Sequence, residues 1–81
     1  MSATTPIFPI VQGLISEELI ISKGNIQPES KLREDLGADS LDLTELVMVL
    51  EDHFDIGIPD SELANIETVQ DLVDYIGGQA A

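Results

Sequence analysis

Leu43, Leu46, Val47, Leu50 and Phe54 return to one sector of a helical wheel, because about 100° per residue brings positions three and four apart onto the same side. The spacing predicts a helix from about Ser40 to Phe54. Two other blocks repeat the pattern. Ile7, Val11, Leu14, Ile15 and Leu19 make one face of a first helix, with Pro9 tolerable in its opening turn. Gly13 within it costs about 1 kcal/mol against alanine, and Lys23, Gly24 and Asn25 are expected to end it. Val69, Leu72, Val73 and Ile76 make the face of a last helix, capped by Thr68 with Asp71 as an approximate capping box and stopped by Gly77 and Gly78. Pro59, followed by Asp60 or Ser61 as cap, predicts a short third helix ending near Asn65. No stretch sustains the period-two alternation of a half-buried strand. The expected fold is all-α: a small four-helix bundle of three main helices plus a short third one, with a long first loop. Helices one and two would lie roughly antiparallel, with the last packed across them.

With 81 residues the chain is near the lower size limit for a core that stands without staples. It has no cysteine, which excludes disulfides and thiolate metal sites. Leu, Ile and Val must therefore supply the core. The reading divides the chain into a flexible N-terminus at 1–6, one domain at 7–78 and a tail at 79–81. The first loop, "GNIQPESKLREDLGAD", is long for a compact domain; Ile26, Leu32 and Leu36 are its expected anchors.

The net charge of −13 is unevenly placed. Lys23, Lys31 and Arg33 balance Glu17, Glu18 and Glu29 in the first 33 residues, so all of it falls on residues 34–81. Such a field repels nucleic acid and anionic membrane and steers cationic protein surfaces inward. The opening "MSATTPIFPIVQGLI" lacks a basic segment and has prolines at 6 and 9. Nothing nears the ~18 consecutive apolar residues of a membrane span. A cytoplasmic protein without membrane insertion is expected.

Ser40 stands at the mouth of the second predicted helix among Asp39, Asp42 and Glu45. Its context, "GADSL", is not the G-x-S-x-G elbow of serine hydrolases. The one histidine, His53, is thirteen residues further along the same helix, or roughly 20 Å at the helical rise. No hydrolytic triad can form, no catalytic residue is assigned, and His53 reads as a surface residue near a helix C-terminus. Calcium fares no better: the acids between 34 and 62 miss the glycine of an EF-hand loop, so no metal site is assigned. Two readings of Ser40 remain. Ser40 or Asp39 caps the helix, or Ser40 is modified: a phosphodiester there would meet unpaired N–H groups and the positive dipole end, with Gly37 allowing the sharp turn that exposes the hydroxyl. The residues alone fit both.

"LGADSLDLTELVMVLEDHFDIGIPD" resembles the central segment of acyl carrier proteins, and "TVQDLVDYI" is similar to the last helix of that family. The resemblance covers about residues 30 to 78 and, more weakly, the first helix. It implies a non-enzymatic carrier whose Ser40 receives phosphopantetheine from coenzyme A through a magnesium-dependent phosphopantetheinyl transferase. Asp39 and Leu41 would complete the recognised triplet. It implies a carrier of dissociated fatty-acid synthesis, holding growing acyl chains as thioesters. Its partners would be acyltransferases, a ketoacyl synthase, reductases and a dehydratase, met as a monomer through their basic patches. Two departures leave a second reading open beside it, a specialised carrier for polyketide, aminoacyl or modified-lipid synthesis, although the strongly acidic second helix favours the fatty-acid class. The first helix adds Phe8, Ile10 and Ile20 beyond its core stripe, and His53 interrupts an acidic run. A rival from another class is an unmodified acidic adaptor for basic partners.

Away from the expected core face, Leu41, Glu45, Met48 and Asp52 follow at four, three and four residues. With Asp42 and Glu51 beside them they form the expected partner face. Leu46, Leu50, Ile58, Leu63, Ile66, Leu72 and Ile76 are expected to face one another in the bundle. By resemblance to carriers that fold their cargo inward, they would line an acyl chain.

Overall fold

The computed structural model describes residues 6–80. The expected flexible N-terminus therefore lies, but for Pro6, outside the described residues, as does Ala81. Four helices follow in order: α1 (Ile7–Leu19), α2 (Ser40–Phe54), α3 (Asp60–Leu63) and α4 (Val69–Ala80). No strand occurs among the described residues; one isolated antiparallel bridge joins Lys31 to Thr68. The helix α1 packs on both α2 and α4. Each main helix buries the face its spacing predicts: Val11 and Ile15 of α1, Leu43, Leu46, Val47 and Leu50 of α2, and Val69, Leu72 and Ile76 of α4.

The helix α1 ends four residues earlier than expected. Ile20 takes the left-handed conformation (φ 56°, ψ 55°) and its N–H returns to the Ser16 carbonyl. Glycine normally holds that place, since a β-branched side chain is strained there. Lys23–Asn25 instead form a separate 3-10 turn. The Gln12 amide donates to the carbonyls of both Lys23 and Ile26 at 2.9 Å, pulling the turn back over α1 and seating Ile26 in the core. Gly13 is not kept by crowding: a methyl group there would meet the Lys23 stem at an ordinary 3.6 Å.

The long loop is ordered because its backbone is paired. Gln70 N–H donates to the Pro28 carbonyl, Val69 N–H to Ser30 and Leu32 N–H to Glu67, at 2.8–3.0 Å, which straps the loop along the start of α4. Its anchors are Ile26 and Leu32, joined by Ala38; Leu36 is only half-buried.

The start of α4 carries the expected box. Asp71 N–H donates to Thr68 Oγ1, and the Asp71 carboxylate accepts from the N–H groups of Thr68 and Glu67. Those donors hold the Asp71 carboxyl below the usual aspartate range. Its other end differs from expectation: α4 continues through Gly77 and Gly78 to Ala80, covering part of the expected tail. Neither glycine has a positive φ. A methyl group at Gly77 would stand 3.4 Å from Ile7 Cδ1, at the edge of ordinary contact, where α4 packs on α1. The short α3 starts after Pro59 with no side-chain cap, so neither Asp60 nor Ser61 caps it. Tyr75 Oη donates to the Gly57 carbonyl at 3.0 Å and ties α4 to the α2–α3 loop.

Candidate functional site

Gly37, with φ 75°, reverses the chain just before α2. Asp39 then caps the helix. Its Oδ1 accepts from Asp42 N–H at 2.8 Å, and the Asp42 carboxylate accepts from Asp39 N–H at 3.2 Å, a complete capping box. Ser40 is thus the first helical residue and not the cap. Its carbonyl accepts from Thr44 Oγ1, while its side chain is exposed and, among the described residues, its hydroxyl makes no hydrogen bond. The helix N-terminus supplies unpaired N–H groups and a positive dipole end, so an anion carried by Ser40 suits this place.

Of the six residues expected on the partner face, four stand free along the outer side of α2. Leu41 is 65% and Met48 61% exposed, and Glu45 and Asp52 are also exposed. The other two have work inside the fold. Asp42 belongs to the capping box, and the Glu51 carboxylate accepts from Ile58 N–H at 2.7 Å, fixing the turn after α2. Both are half-buried, because a carboxylate pointed at local backbone N–H groups leaves the solvent-facing stripe. The structure adds one residue that the spacing did not reveal. Glu18, half-buried on α1, has its carboxyl pushed above the usual glutamate range by partial burial and by Glu45 and Asp42 beside it. His53 lies exposed in the last turn of α2, its ring edge-on to Phe54 at 4.9 Å.

A cavity of about 450 Å³ opens between the long loop and the α3 region. Leu32, Leu43, Leu63 and Ile66 form its apolar wall, with Lys31, Arg33, Glu34 and Glu67 around them. Of the seven expected lining residues, only Leu63 and Ile66 reach it. Leu46, Leu50, Ile58, Leu72 and Ile76 are at most 4% exposed and belong to the packed core. They face inward as expected, and the cavity forms where the long loop meets the α3 region. Leu43, which the spacing placed only in the core, also supplies cavity wall one turn from Ser40. Lys31 Nζ lies 3.4 Å from Glu34 and 3.7 Å from Glu67. The Glu34 hydrogen bond and these charges hold the ammonium above its ordinary range. Among the described residues, no three His, Asp or Glu side chains gather as a metal-holding group, and no helix is long and apolar enough to cross a membrane.

This arrangement, a helical bundle offering a serine hydroxyl to solvent at a helix N-terminus whose neighbouring carboxylates are engaged in the capping box, suits a carrier. Residues 9–76 match the family described as "Phosphopantetheine attachment site". A solved structure from Mycobacterium tuberculosis, provisionally described as an acyl carrier protein, superposes with a TM-score of 0.85 at 34% identity, over 90% of this chain and 97% of that one. The chain belongs to the phosphopantetheine-bearing family of acyl carrier proteins. It is a carrier, its cofactor is covalently bound phosphopantetheine, and it works with a phosphopantetheinyl transferase and with enzymes of synthesis.

Proposed function

We propose that Ser40 bears the phosphopantetheine arm and that the protein ferries growing acyl chains among the enzymes of dissociated fatty-acid synthesis in the cytoplasm. The observation that carries this reading is the exposed hydroxyl of Ser40 at the first position of α2, unengaged among the described residues. When attached, the arm supplies the thiol that this cysteine-free chain lacks, and the cargo rides on it as a thioester. The chain's own residues do the rest. Asp39 and Asp42 hold the helix mouth in place, and Gly37 bends the preceding backbone out of the transferase's way. Leu41, Glu45, Met48 and Asp52 meet an apolar and basic surface on each partner. Exposed ion pairs are worth only about 0.2–1 kcal/mol each, so docking is weak and brief, as a shuttle requires.

Incubation with coenzyme A and a phosphopantetheinyl transferase tests the attachment. Wild type gains one phosphopantetheine mass and Ser40→Ala gains none; labelling of that variant would place the arm elsewhere. Intact mass spectrometry of protein purified from its native cell tests the pathway, with saturated acyl chains of increasing length expected. A second reading, a specialised carrier for polyketide, aminoacyl or modified-lipid synthesis, is favoured by Ile20. Its side chain is 91% exposed at the end of an unusually apolar α1. Aminoacyl or polyketide masses on the native protein would select it.

A further inference from the structure

We propose that Arg33 makes the cavity beside α2 selective for acyl groups that carry an oxo or hydroxy oxygen, over saturated chains of equal length. This rests on the reading that Ser40 bears the arm. The chain has three basic residues, and two of them, Lys31 and Arg33, line this one cavity. They are not equivalent. The Lys31 ammonium is committed to Glu34 and Glu67 across the rim, whereas Arg33 forms no ion pair among the described residues. Its guanidinium carries five N–H donors and no acceptor.

The same cavity is lined by Leu32, Leu43, Leu63 and Ile66, so it joins a hydrocarbon wall to a set of donors outside any ion pair among the described residues. A saturated chain satisfies the wall alone and gains nothing from Arg33, which stays open to solvent. A chain with a carbonyl or hydroxyl oxygen satisfies both, and a hydrogen bond to a charged donor is stronger than a neutral one. The cavity is placed to sample cargo. Leu43 is three residues from Ser40 on α2, about 4.5 Å along the axis, and the Arg33 carbonyl accepts from Gly37 N–H at 3.1 Å, which fixes the loop backbone at that point.

The test loads wild type and Arg33→Leu at Ser40 with either octanoyl or 3-oxooctanoyl phosphopantetheine, using the transferase and the matching coenzyme A thioesters. Intact mass first confirms loading; its failure would count against Ser40 as the attachment point and is read separately. In loaded wild type, the 3-oxo form is expected to melt about 4 °C above the octanoyl form, and the Arg33 Nε–H resonance to move only with the 3-oxo cargo. In Arg33→Leu, whose circular dichroism should be unchanged because Arg33 is exposed, the melting gap should close, and Arg33→Lys should restore part of it. Equal melting of the two wild-type forms would overturn the proposal. So would an Arg33 resonance that shifts as much with the bare arm, which would assign the guanidinium to the phosphodiester instead.

Discussion

Asp39 and Ser40 are neighbours with opposite relations to the fold. The Asp39 carboxylate satisfies an N–H group of the first turn of α2, whereas the Ser40 hydroxyl holds nothing among the described residues. Asp39→Ala should therefore cost about 1 kcal/mol of stability, read as a lower melting temperature. Ser40→Ala should leave melting within about 0.5 kcal/mol of wild type while abolishing arm loading. A Ser40→Ala protein that melted as low as Asp39→Ala would show that the hydroxyl has a structural task. The pair was only half legible beforehand. "GADSLD" marks the helix mouth, but which residue caps it depends on where the chain leaves extended geometry, and Asp39 is that residue (φ −94°, ψ −175°).

Among the elements, the seam between α1 and α2 carries a cost that neither helix shows alone. The Glu18 carboxyl sits above its ordinary range through partial burial, then through Glu45 and Asp42. A carboxyl whose pKa is raised by folding favours the fold while protonated. That contribution is full below the ordinary value of 4.5 and is lost as pH rises through the raised one. Glu18→Gln should thus melt higher than wild type at pH 7, with the gap shrinking as pH falls through the raised value and closed below the ordinary 4.5. A gap independent of pH would mean that charge is not the cause. Glu45 serves this seam and the docking face at once. Glu45→Lys should keep its helical content, since it removes a repulsion with Glu18, yet slow both arm loading and transfer to a synthase. Steady-state rates at low and high salt test this; rates equal to wild type at low salt would return the outer face of α2 to plain solvated surface. Asp42 and Glu51 are poorer probes, because replacing either also frees a backbone N–H within the fold.

The whole molecule is small and its charge is one-sided. Thirteen acids without a single Lys or Arg fall on residues 34–81, and the rim pairs of Lys31 offset only part of that repulsion. A domain of this size has only a few kcal/mol to spare, roughly 3–5. Raising ionic strength to about 0.15 M, where charges are screened beyond about 8 Å, or adding millimolar magnesium should therefore raise the melting temperature. A melting curve indifferent to salt would mean that the core absorbs the repulsion unaided.

Four helices, the bounds of α2, the inward faces and the Thr68–Asp71 box follow from sequence, because they depend on contacts within three or four residues along one helix. The position of Ser40 at a helix mouth follows for the same reason. What crosses between elements was decided only by tertiary packing. Gln12 holds the Lys23–Asn25 turn, where α1 has ended at the strained Ile20; α4 packs on α1 and runs past both glycines. Glu18 meets Glu45 only where two helices lie side by side. Leu32 and Leu43 form a cavity wall with Leu63 and Ile66 only because the loop is strapped to the start of α4. Helical periodicity fixes the angle of a side chain about its own axis, and the distance to another helix is set by what packs between them.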